Sequence, residues 1–462
     1  MIKLCILKPW IVITIMMRWA QLLSPARLGS RKRHTEQSRS PFHKDYDRII
    51  FSQSFRQLNR KTQVHPLTQN DAIHTRLTHS LEVSCVGRSL GMLAAEKLKD
   101  DLPPWVNPAD VGAIIQAACL AHDIGNPPFG HAGEYAMRDW FDRLAQAHIQ
   151  ALVTAQQWSD LVQFEGNAQG LRILSRLEYH PDDGGMRLTY ATLGAYLKYP
   201  WLPKPMAEQA DKSSDRLAKF GCYSSEKQIL AEIGEHLGLI QTGEFAFCRH
   251  PLTYLLEAAD DVCYALIDME DGLSLGMLHY ADVEPIFLQL IGDLGAPHEV
   301  NSDVPMRQKL AALRGRAMKR LVEVLTDVFV AHQTELLSGR LRGSLLDHCP
   351  RDVCEGIEAA KNMARRHIFT HPHKARLELV ATANLTVLMD HFMPLALLDQ
   401  AALQQASFRE RRLLHLLQHY GARLDGTPYE NMMQVLDAIS ALSDHQAHSL
   451  AQDLQGHRVA LL

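Results

Sequence analysis

The sequence is poor in the features that mark secreted, membrane-spanning or strongly basic proteins. Its 462 residues include 8 cysteines, none of them in a Cys-x-x-Cys pair, and Cys119 and Cys263 fall within apolar helical patterns. We therefore expect reduced thiols in a cytoplasmic protein, because disulfide frameworks belong to oxidising compartments. The formal net charge of −4 excludes a strong overall attraction to nucleic acid or membranes, but it leaves room for local basic patches.

Long apolar runs are also lacking. The stretch from residue 4 to residue 17 is apolar but contains a lysine and a proline, and it is too short to span a bilayer. It has no clear small-residue cleavage site, so a signal peptide is disfavoured. We interpret residues 1–43 as a leader, either disordered or acting as a basic arm, unless the natural start is Met16 or Met17. We expect no association with a membrane.

Strand signals are few, which favours an all-α fold. The best strand candidate, residues 186–189 after the turn PDDGG, would supply one small β-hairpin at most. A break near residues 296–303 divides the chain into a helical core over 44–295 and a C-terminal helical region over 296–462. Apolar periodicity predicts helices over 46–58, 79–99, 108–123, 132–148, 165–177, 189–198, 226–237, 251–270, 305–338, 351–366, 373–395, 399–420 and 429–455.

The sequence does have a group of ionisable residues beside an apolar helix, in ACLAHDIGNPPFGHAGEYAM (118–137). Asn107 and the proline after it predict the start of this helix, and Gly125 suits its C′ position. His122 and Asp123 therefore lie in its last turn. A buried carboxylate without a partner is costly or shifts its pKa, so it needs a cation. With 24 histidines in the chain, one His-Asp pair is also expected by chance.

Two further helices place single ionisable groups among apolar neighbours. His79 lies four residues before Val83 on a buried face, where a hydrogen-bonded core histidine is the ordinary alternative. Asp260 shares a helix face with Leu256 and Tyr264. A carboxylate in that position is either paired with an arginine or lysine or bound to a cation.

Together the three helices offer two imidazoles and two carboxylates, from His79, His122, Asp123 and Asp260. This mixed nitrogen and oxygen set suits Mn²⁺, Fe²⁺, Co²⁺ or Zn²⁺, and suits Mg²⁺ less well. The sequence therefore predicts one divalent metal ion bound by the four side chains. Arg76, three residues before His79, could reach the same side and bind an anionic substrate.

The order of these motifs resembles the HD-domain phosphohydrolase superfamily and, within it, the deoxyguanosinetriphosphate triphosphohydrolases (dGTPases). The matching blocks fall between residues 44 and 272, and HDIGNPPFGHAGE (122–134) with FEGNAQ (164–169) is the most specific pair. The C-terminal part matches weakly, with Ala441 and Leu442 where Gly-Met is usual. The resemblance implies an HD-domain helical core and a C-terminal helical part that contributes to the substrate pocket and to a homo-oligomer, often a hexamer.

The resemblance also implies roles for single residues. The metal would be held by the four ligands named above, with Asp260 chosen over Asp261 because the family's ligand lies four residues before a tyrosine. His131 and Glu134 would be the catalytic pair, and Asn126 replaces a histidine found in some relatives. The implied substrate-binding residues are Gln63, Arg76 and Tyr264, and Lys198 is a further phosphate-binding candidate that could equally be a solvated helix-end lysine.

The implied reaction is metal-dependent hydrolysis of a deoxynucleoside triphosphate (dNTP), either dGTP or a broader set, to the deoxynucleoside and tripolyphosphate. No arginine lies between Leu424 and Ser440, unlike in relatives that recognise guanine, so the substrate range could extend beyond dGTP. One alternative is another HD-domain nucleotide phosphohydrolase, against which the FEGNAQ block argues. The other is a non-catalytic oligomer with a relict site that binds single-stranded nucleic acid through residues 31–44, against which the intact ligand set argues.

Overall fold

The computed structural model describes residues 16–29, 39–64, 66–67, 73–143, 147–178, 185–205, 219–301 and 303–457. These residues form α-helices and one two-stranded antiparallel sheet, which confirms the predicted all-α fold with a small β-hairpin. Residues 1–15 of the predicted leader and residues 31–38 of the basic segment lie outside the described residues. The elements are α1 (Trp19–Leu22), α2 (Pro41–Ile50), α3 (Gln53–Gln57), α4 (Arg76–Lys97), α5 (Pro108–Ala121), α6 (His131–Arg143), α7 (Ala147–Gln150), α8 (Ala155–Val162), α9 (Gly166–Arg172), α10 (Tyr190–Tyr196), α11 (Lys227–Leu237), β1 (Gln241–Gly243), β2 (Ala246–Phe247), α12 (Pro251–Ser274), α13 (Tyr280–Ile291), α14 (Met306–Ala331), α15 (Gln333–Leu337), α16 (Arg351–Ala364), α17 (Pro372–Ala396), α18 (Gln400–Gln404), α19 (Phe408–His419), α20 (Pro428–Ser440) and α21 (Asp444–Leu454).

The β-hairpin of β1 and β2 lies elsewhere than predicted. Residues 186–189 form no strand, and Thr189 makes only a single β-bridge to Arg27. Thr189 then begins α10 as its N-cap, because its side chain accepts a hydrogen bond from the Thr192 N–H. The predicted strand was wrong because threonine is favoured both in strands and at helix N-caps, and the second preference decides here.

Several of the predicted helices are each divided, among them the two nearest the C-terminus. The helix predicted over 399–420 is α18 followed by α19, and the one predicted over 429–455 is α20 followed by α21. Ser407 and Ser443 begin the second helix of each pair as N-caps in a capping box with the residue three positions on. Both boundaries carry the Ser-x-x-Glu/Gln signature of a helix start, so the sequence contained the signal.

Helices α4 and α5 pack closely against each other. Glycines allow the close approach: a side-chain carbon at Gly87 would collide with Cys119, and one at Gly91 would collide with Ile115. Helix α12 packs against both helices, and its apolar residues belong to the same core. The three helices that carry the predicted metal ligands therefore share one rigid packing unit.

The apolar core has two parts. The first includes the side chains of α4, α5 and α12 together with those of α14 and α16. The second joins α6 and α8 to the C-terminal helices α17, α19, α20 and α21. The C-terminal helices thus pack directly on the helix that begins at His131. The predicted domain boundary at 296–303 stays a prediction.

Helix α17 is the one described helix that is long and apolar enough to span a membrane, judged by length and composition alone. Half of its most apolar window, 50%, is buried inside the protein. Its buried residues, such as Leu385 and Phe392, belong to the second part of the core. This burial is that of a core helix.

Candidate active site

The start of α4 places Arg76 and His79 at one end of the central helices. Thr75 is the N-cap: its hydroxyl accepts a hydrogen bond from the Thr78 N–H, and the Thr78 side chain accepts one from the Thr75 N–H in return. Arg76 and His79 follow in the first turn and are buried, with 3% and 0% of their surface exposed. The capping box therefore fixes the backbone at the start of α4, which carries both functional side chains.

The end of α5 presents His122 and Asp123. The predicted N-cap at Asn107 is confirmed. The helix ends at the residue before His122, which is its C-cap, so the prediction that Gly125 is the C′ residue was wrong. A side-chain carbon at Gly125 would collide with the backbone of α9, so glycine is needed there for close backbone approach.

The ring of His122 is oriented by the helix that carries it. Its Nδ1 lies 2.7 Å from the Cys119 carbonyl oxygen and donates to it, which leaves the Nε2 lone pair free. The Nε2 lies 3.4 Å from Asp260 Oδ1 and 3.6 Å from Asp123 Oδ2. A histidine whose second nitrogen donates to a backbone carbonyl is the usual arrangement of a metal ligand.

Asp260 completes the group from the middle of α12. Its Oδ1 lies 3.1 Å from His79 Nε2, and the ligand atoms of His79, His122 and Asp260 all lie within 4.8 Å of one another. Its Oδ2 accepts a hydrogen bond from Lys198. The interpretation of Lys198 as a solvated lysine was therefore wrong, because the side chain neutralises Asp260.

Asp123 faces the same group but is paired with Arg76. Its Oδ2 lies 2.8 Å from Arg76 Nη1, and its Oδ1 accepts a hydrogen bond from the Asn126 side chain. Asn126 thus orients Asp123. His79, His122 and Asp260 form the tightest set, and Asp123 is the fourth side chain. We call these four residues the ligand cluster.

Charges in the ligand cluster favour a cation. Burial alone would raise the pKa of Asp123, but Arg76 and His122 lower it to about 2. Burial also opposes charge on Asp260, yet Lys198 and His122 hold its pKa well below the usual range. Burial would lower the pKa of His122, but Asp123 and Asp260 raise it. The field that attracts a proton to His122 would attract a metal ion equally, so the donor set fits a divalent metal.

A strained turn leads to His131. Phe129 and Gly130 have positive φ angles of 64° and 57°, and a side-chain carbon at Gly130 would collide with the Arg76 guanidinium.

Desolvation by surrounding residues, together with the positive charges of Lys219 and Arg76, lowers the pKa of His131 to about 4. His131 is therefore neutral at pH 7.

Glu134, one turn further along α6, is buried and bound to groups other than His131. Its Oε1 accepts a hydrogen bond of 2.8 Å from the Gly166 N–H. Its Oε2 lies 3.7 Å from Arg138 Nη2 and 3.7 Å from Lys219 Nζ. Within the described part of the chain no hydrogen bond joins Glu134 to His131, so the catalytic pairing of the two stays a prediction.

A second buried carboxylate, which sequence reasoning missed, joins this group. Glu165 is the N-cap of α9 and lies 2.9 Å from Lys219 Nζ and 3.5 Å from Arg138 Nη2. Burial and the neighbouring Glu134 raise its pKa. The only sequence signal was the acid in FEGNAQ, which does not reveal its partners. We call Glu134, Glu165, Arg138 and Lys219 the carboxylate–cation cluster.

Two predicted substrate-binding residues lie on separate elements. Tyr264 follows Asp260 by one turn of α12, is half-buried and stacks on Phe369 with 6.1 Å between ring centroids. Gln63 follows Thr62, which forms a β-bridge with Thr75 at the start of α4. Its Oε1 is buried without a hydrogen bond among the described residues. Tyr264 therefore lies on the helix that carries Asp260, and Gln63 lies beside the start of the helix that carries His79; their contacts with a substrate stay a prediction.

The fold and the site together define an HD-domain protein. The family described as HD domain matches residues 76–192, the range that carries His79, His122 and Asp123. Asp260 lies beyond the matched range and joins the other ligands from α12.

Similar proteins narrow the class to one family. The chain is 47% identical over 446 residues to a deoxyguanosinetriphosphate triphosphohydrolase-like protein of Pseudomonas aeruginosa (strain LESB58), covering 95% of this chain and 99% of the relative. It is 38% identical over 455 residues, covering 95% and 99%, to a protein of the same name from Synechocystis sp. (strain ATCC 27184 / PCC 6803 / Kazusa). It is 32% identical over 438 residues, covering 81% and 82%, to the deoxyguanosinetriphosphate triphosphohydrolase of Enterobacter sp. (strain 638). The chain therefore belongs to the deoxyguanosinetriphosphate triphosphohydrolase-like family, which confirms the resemblance predicted from its motifs.

Proposed function

We propose that this protein hydrolyses a dNTP to the deoxynucleoside and tripolyphosphate with the help of one divalent metal ion. The observation that carries the proposal is the meeting of His79, His122 and Asp260 from three separate helices, with Asp123 and Arg76 beside them. The printed name of the Enterobacter relative, a dGTP triphosphohydrolase, supports the substrate class.

Two imidazole nitrogens and two carboxylates suit Mn²⁺, Fe²⁺, Co²⁺ or Zn²⁺ better than Mg²⁺. When bound, such an ion would supply Lewis-acid chemistry: it would polarise the α-phosphate and would lower the pKa of a nearby water. Arg76 and Lys198, which already lie against the cluster's carboxylates, offset the charge of the phosphate oxygens. The residues that would hold the ion are His79, His122, Asp123 and Asp260.

The reaction joins a water oxygen to the α-phosphorus and breaks the bond from phosphorus to the 5′ oxygen, which leaves with a proton. His131 is neutral at pH 7, because its pKa is lowered to about 4. A neutral imidazole can take the proton from the attacking water and give it to the leaving oxygen. Glu134 would position His131 through the first turns of α6, because it ties that helix to Gly166.

Recognition of the sugar follows from the elements around the ligand cluster. Tyr264 would pack against the deoxyribose, where a ribose 2′-OH would clash. Gln63, whose Oε1 has no hydrogen bond in the described structure, would contact the sugar, and Arg76 the phosphates. Because no arginine lies between Leu424 and Ser440, we propose a substrate range broader than dGTP.

A matrix of the four dNTPs, alone and in pairs, with Mg²⁺, Mn²⁺ or Co²⁺ tests the proposal. We expect equal amounts of deoxynucleoside and tripolyphosphate, measured by anion-exchange chromatography, and higher rates with Mn²⁺ or Co²⁺ than with Mg²⁺. Formation of phosphate or pyrophosphate with a nucleotide product would instead indicate another type of HD-domain phosphohydrolase. No turnover of any dNTP, together with binding of single-stranded DNA, would favour the non-catalytic alternative.

We further propose that the protein acts in the cytoplasm as a homo-oligomer. The described cysteines are all free thiols, which suits a reducing compartment. Leu379 and Phe408 are 71% and 67% exposed, and we propose that a partner subunit covers them. Light scattering coupled to gel filtration should show a hexamer or another closed oligomer, and a monomer at assay concentration would contradict this part of the proposal.

A further inference from the structure

We infer that Asp444, in the last described helix, is a positioning residue for the active site. It joins the turn before His131 to the segment beside Arg76 and holds both in place, although it belongs to neither segment. The inference rests on the proposed function, because a positioning role has meaning only if His131 and Arg76 act on a substrate.

Asp444 uses both oxygens of one buried carboxylate. The residue is 0% exposed. Its Oδ1 accepts a hydrogen bond of 2.7 Å from the Phe129 N–H. Its Oδ2 accepts bonds of 3.0 Å from the Thr62 N–H and 2.8 Å from the Thr62 hydroxyl. A single side chain of α21 thus binds the backbone of two distant segments of the HD-domain half of the chain.

The bond to Phe129 matters because of the backbone conformation there. Phe129 has a φ of 64°, which is unfavourable for a residue with a side chain and persists only where neighbouring contacts impose it. The next residue, Gly130, accepts a hydrogen bond of 3.0 Å from the Glu134 N–H in the first turn of α6. The turn that Asp444 holds therefore leads directly into the helix that begins with His131.

The bonds to Thr62 act on the other side of the site. Thr62 forms a β-bridge with Thr75, the N-cap of α4. The Arg76 N–H donates a hydrogen bond of 2.9 Å to the Lys61 carbonyl. Fixing residues 61 and 62 therefore fixes the start of α4, where Arg76 lies.

Lys61 strengthens the same connection. It is 2% exposed, and its ammonium donates to the Asn126 carbonyl at 2.7 Å and to the Ser440 carbonyl at 2.6 Å. Ser440 is the last residue of α20, and Asn126 lies in the loop that follows Asp123. The junction between α20 and α21 therefore supports two segments: the loop after Asp123, through Lys61, and the turn before His131, through Asp444.

The test compares Asp444→Ala and Asp444→Asn with the matched variant Asp45→Ala. Asp45 is also 0% exposed and accepts bonds of 2.9 Å and 2.6 Å from the N–H and hydroxyl of Thr189, but it touches neither the His131 turn nor the start of α4. We expect kcat to fall at least about tenfold in Asp444→Ala and less in Asp444→Asn, which keeps an oxygen acceptor. Asp45→Ala should lower Tm while kcat stays within about twofold.

Hydrogen–deuterium exchange of the peptide spanning residues 127–131 gives a readout that needs no turnover. Asp444→Ala should exchange faster than wild type in this peptide, and Asp45→Ala should match wild type there. If Asp444→Ala does not fold, Asp444→Asn is measured in the same way. An unchanged kcat and unchanged exchange in Asp444→Ala, or in Asp444→Asn if the alanine variant does not fold, with a Tm loss like that of Asp45→Ala, would reduce Asp444 to a packing residue and overturn the inference.

The two proposals fail in different ways. If the wild-type protein turns over no dNTP with any metal, the proposed function is wrong. The exchange experiment still decides whether Asp444 holds the turn before His131. If the wild-type protein is active, and both the exchange and the kcat of the Asp444 variants match those of wild type, the proposed function stands and the positioning role is wrong.

Discussion

The ligand cluster, taken with its neighbours Arg76 and Lys198, has the same formal charge as the carboxylate–cation cluster, but the two groups differ in what they can bind. Each brings two carboxylates together with two lysine or arginine side chains. The difference is a pair of imidazoles: His79 and His122 place their Nε2 atoms 3.1 Å and 3.4 Å from the same oxygen of Asp260. None of the four residues of the carboxylate–cation cluster is a histidine, so the cluster offers no imidazole nitrogen that could coordinate a metal.

This difference shows how the same charged residues take different roles. Where arginine and lysine side chains alone contact the carboxylates, the protein itself neutralises the negative charge. Breaking one such buried pair lowers the stability of the fold. Carboxylates that also face oriented imidazole nitrogens offer a ready coordination set to a transition metal. The comparison predicts that substitutions in the first cluster remove metal binding, whereas substitutions in the second change the position and pKa of neighbouring groups.

The largest effect is expected for Asp260→Asn. The substitution removes the carboxylate that both imidazoles face, so Mn²⁺ affinity and kcat/KM should each fall by more than about a hundredfold. Isothermal titration with Mn²⁺ and steady-state hydrolysis of dNTP measure the two losses.

Asp261→Asn is the matched control for this experiment. Asp261 is the next residue on α12, but its Oδ1 lies 3.0 Å from Lys361 Nζ and both side chains are partly exposed. Loss of such a pair costs at most about 1 kcal/mol and should leave Mn²⁺ affinity unchanged. Equal losses in the two variants would contradict the assignment of Asp260 over Asp261.

His131→Gln should separate chemistry from metal binding. We expect kcat to fall by about a hundredfold to ten-thousandfold, the usual contribution of a general acid or base. Mn²⁺ affinity should stay at the wild-type value, because His131 is outside the ligand cluster. A parallel loss of Mn²⁺ affinity would place His131 among the ligands, and an unchanged kcat would remove it from the mechanism.

The ligand cluster could be predicted because each of its members carries a local signal. His79 and Asp260 interrupt apolar helical faces, and His122 with Asp123 follows an apolar helix with a clear N-cap. Helical periodicity assigns such residues to a buried face without knowledge of the tertiary fold. The all-α class follows from the same periodicity.

The partners of the second cluster and of the last helix could not be predicted in this way. Lys219 meets Glu134, and Asp444 meets Phe129, only because segments distant in sequence fold together. No spacing rule encodes such contacts. The divisions before α19 and α21 are different, because Ser407 and Ser443 mark these boundaries locally and outweigh the apolar periodicity that runs across them.

Lys219→Met should shift the pH dependence of kcat/KM more than it lowers the maximal value of kcat/KM. The positive charge of Lys219 disfavours protonation of His131 and, with desolvation, lowers the pKa of that residue to about 4. Removing the charge favours the protonated form, so the pKa of His131 rises and the acid limb of kcat/KM moves to higher pH. A profile of kcat/KM from pH 4 to pH 8 measures the shift. Lys227→Met, whose side chain lies over Phe245, is the control, and an acid limb that does not move in Lys219→Met would contradict the electrostatic coupling.

The smallest effect concerns a buried imidazole with no carboxylate beside it. His250 is 1% exposed, and its Nδ1 accepts the Leu252 N–H at the start of α12 while its Nε2–H donates to the Leu22 carbonyl. Desolvation lowers its pKa to about 4, whereas the two carboxylates of the ligand cluster raise the pKa of His122. The contrast isolates what the carboxylates contribute.

This contrast has a consequence for stability. His250 stays neutral in the folded protein, but in the unfolded chain it binds a proton below about pH 6.5. Unfolding therefore takes up a proton between about pH 4 and pH 6.5, so the free energy of unfolding increases with pH across this window, by at most about 3 kcal/mol from this residue. Urea unfolding from pH 5 to pH 7.5 should show this slope in wild type and a smaller slope in His250→Asn, which keeps an N-cap acceptor. Equal slopes would mean that the surroundings of His250 do not keep it neutral. The difference in pKa between His250 and His122 would then not come from burial without a carboxylate.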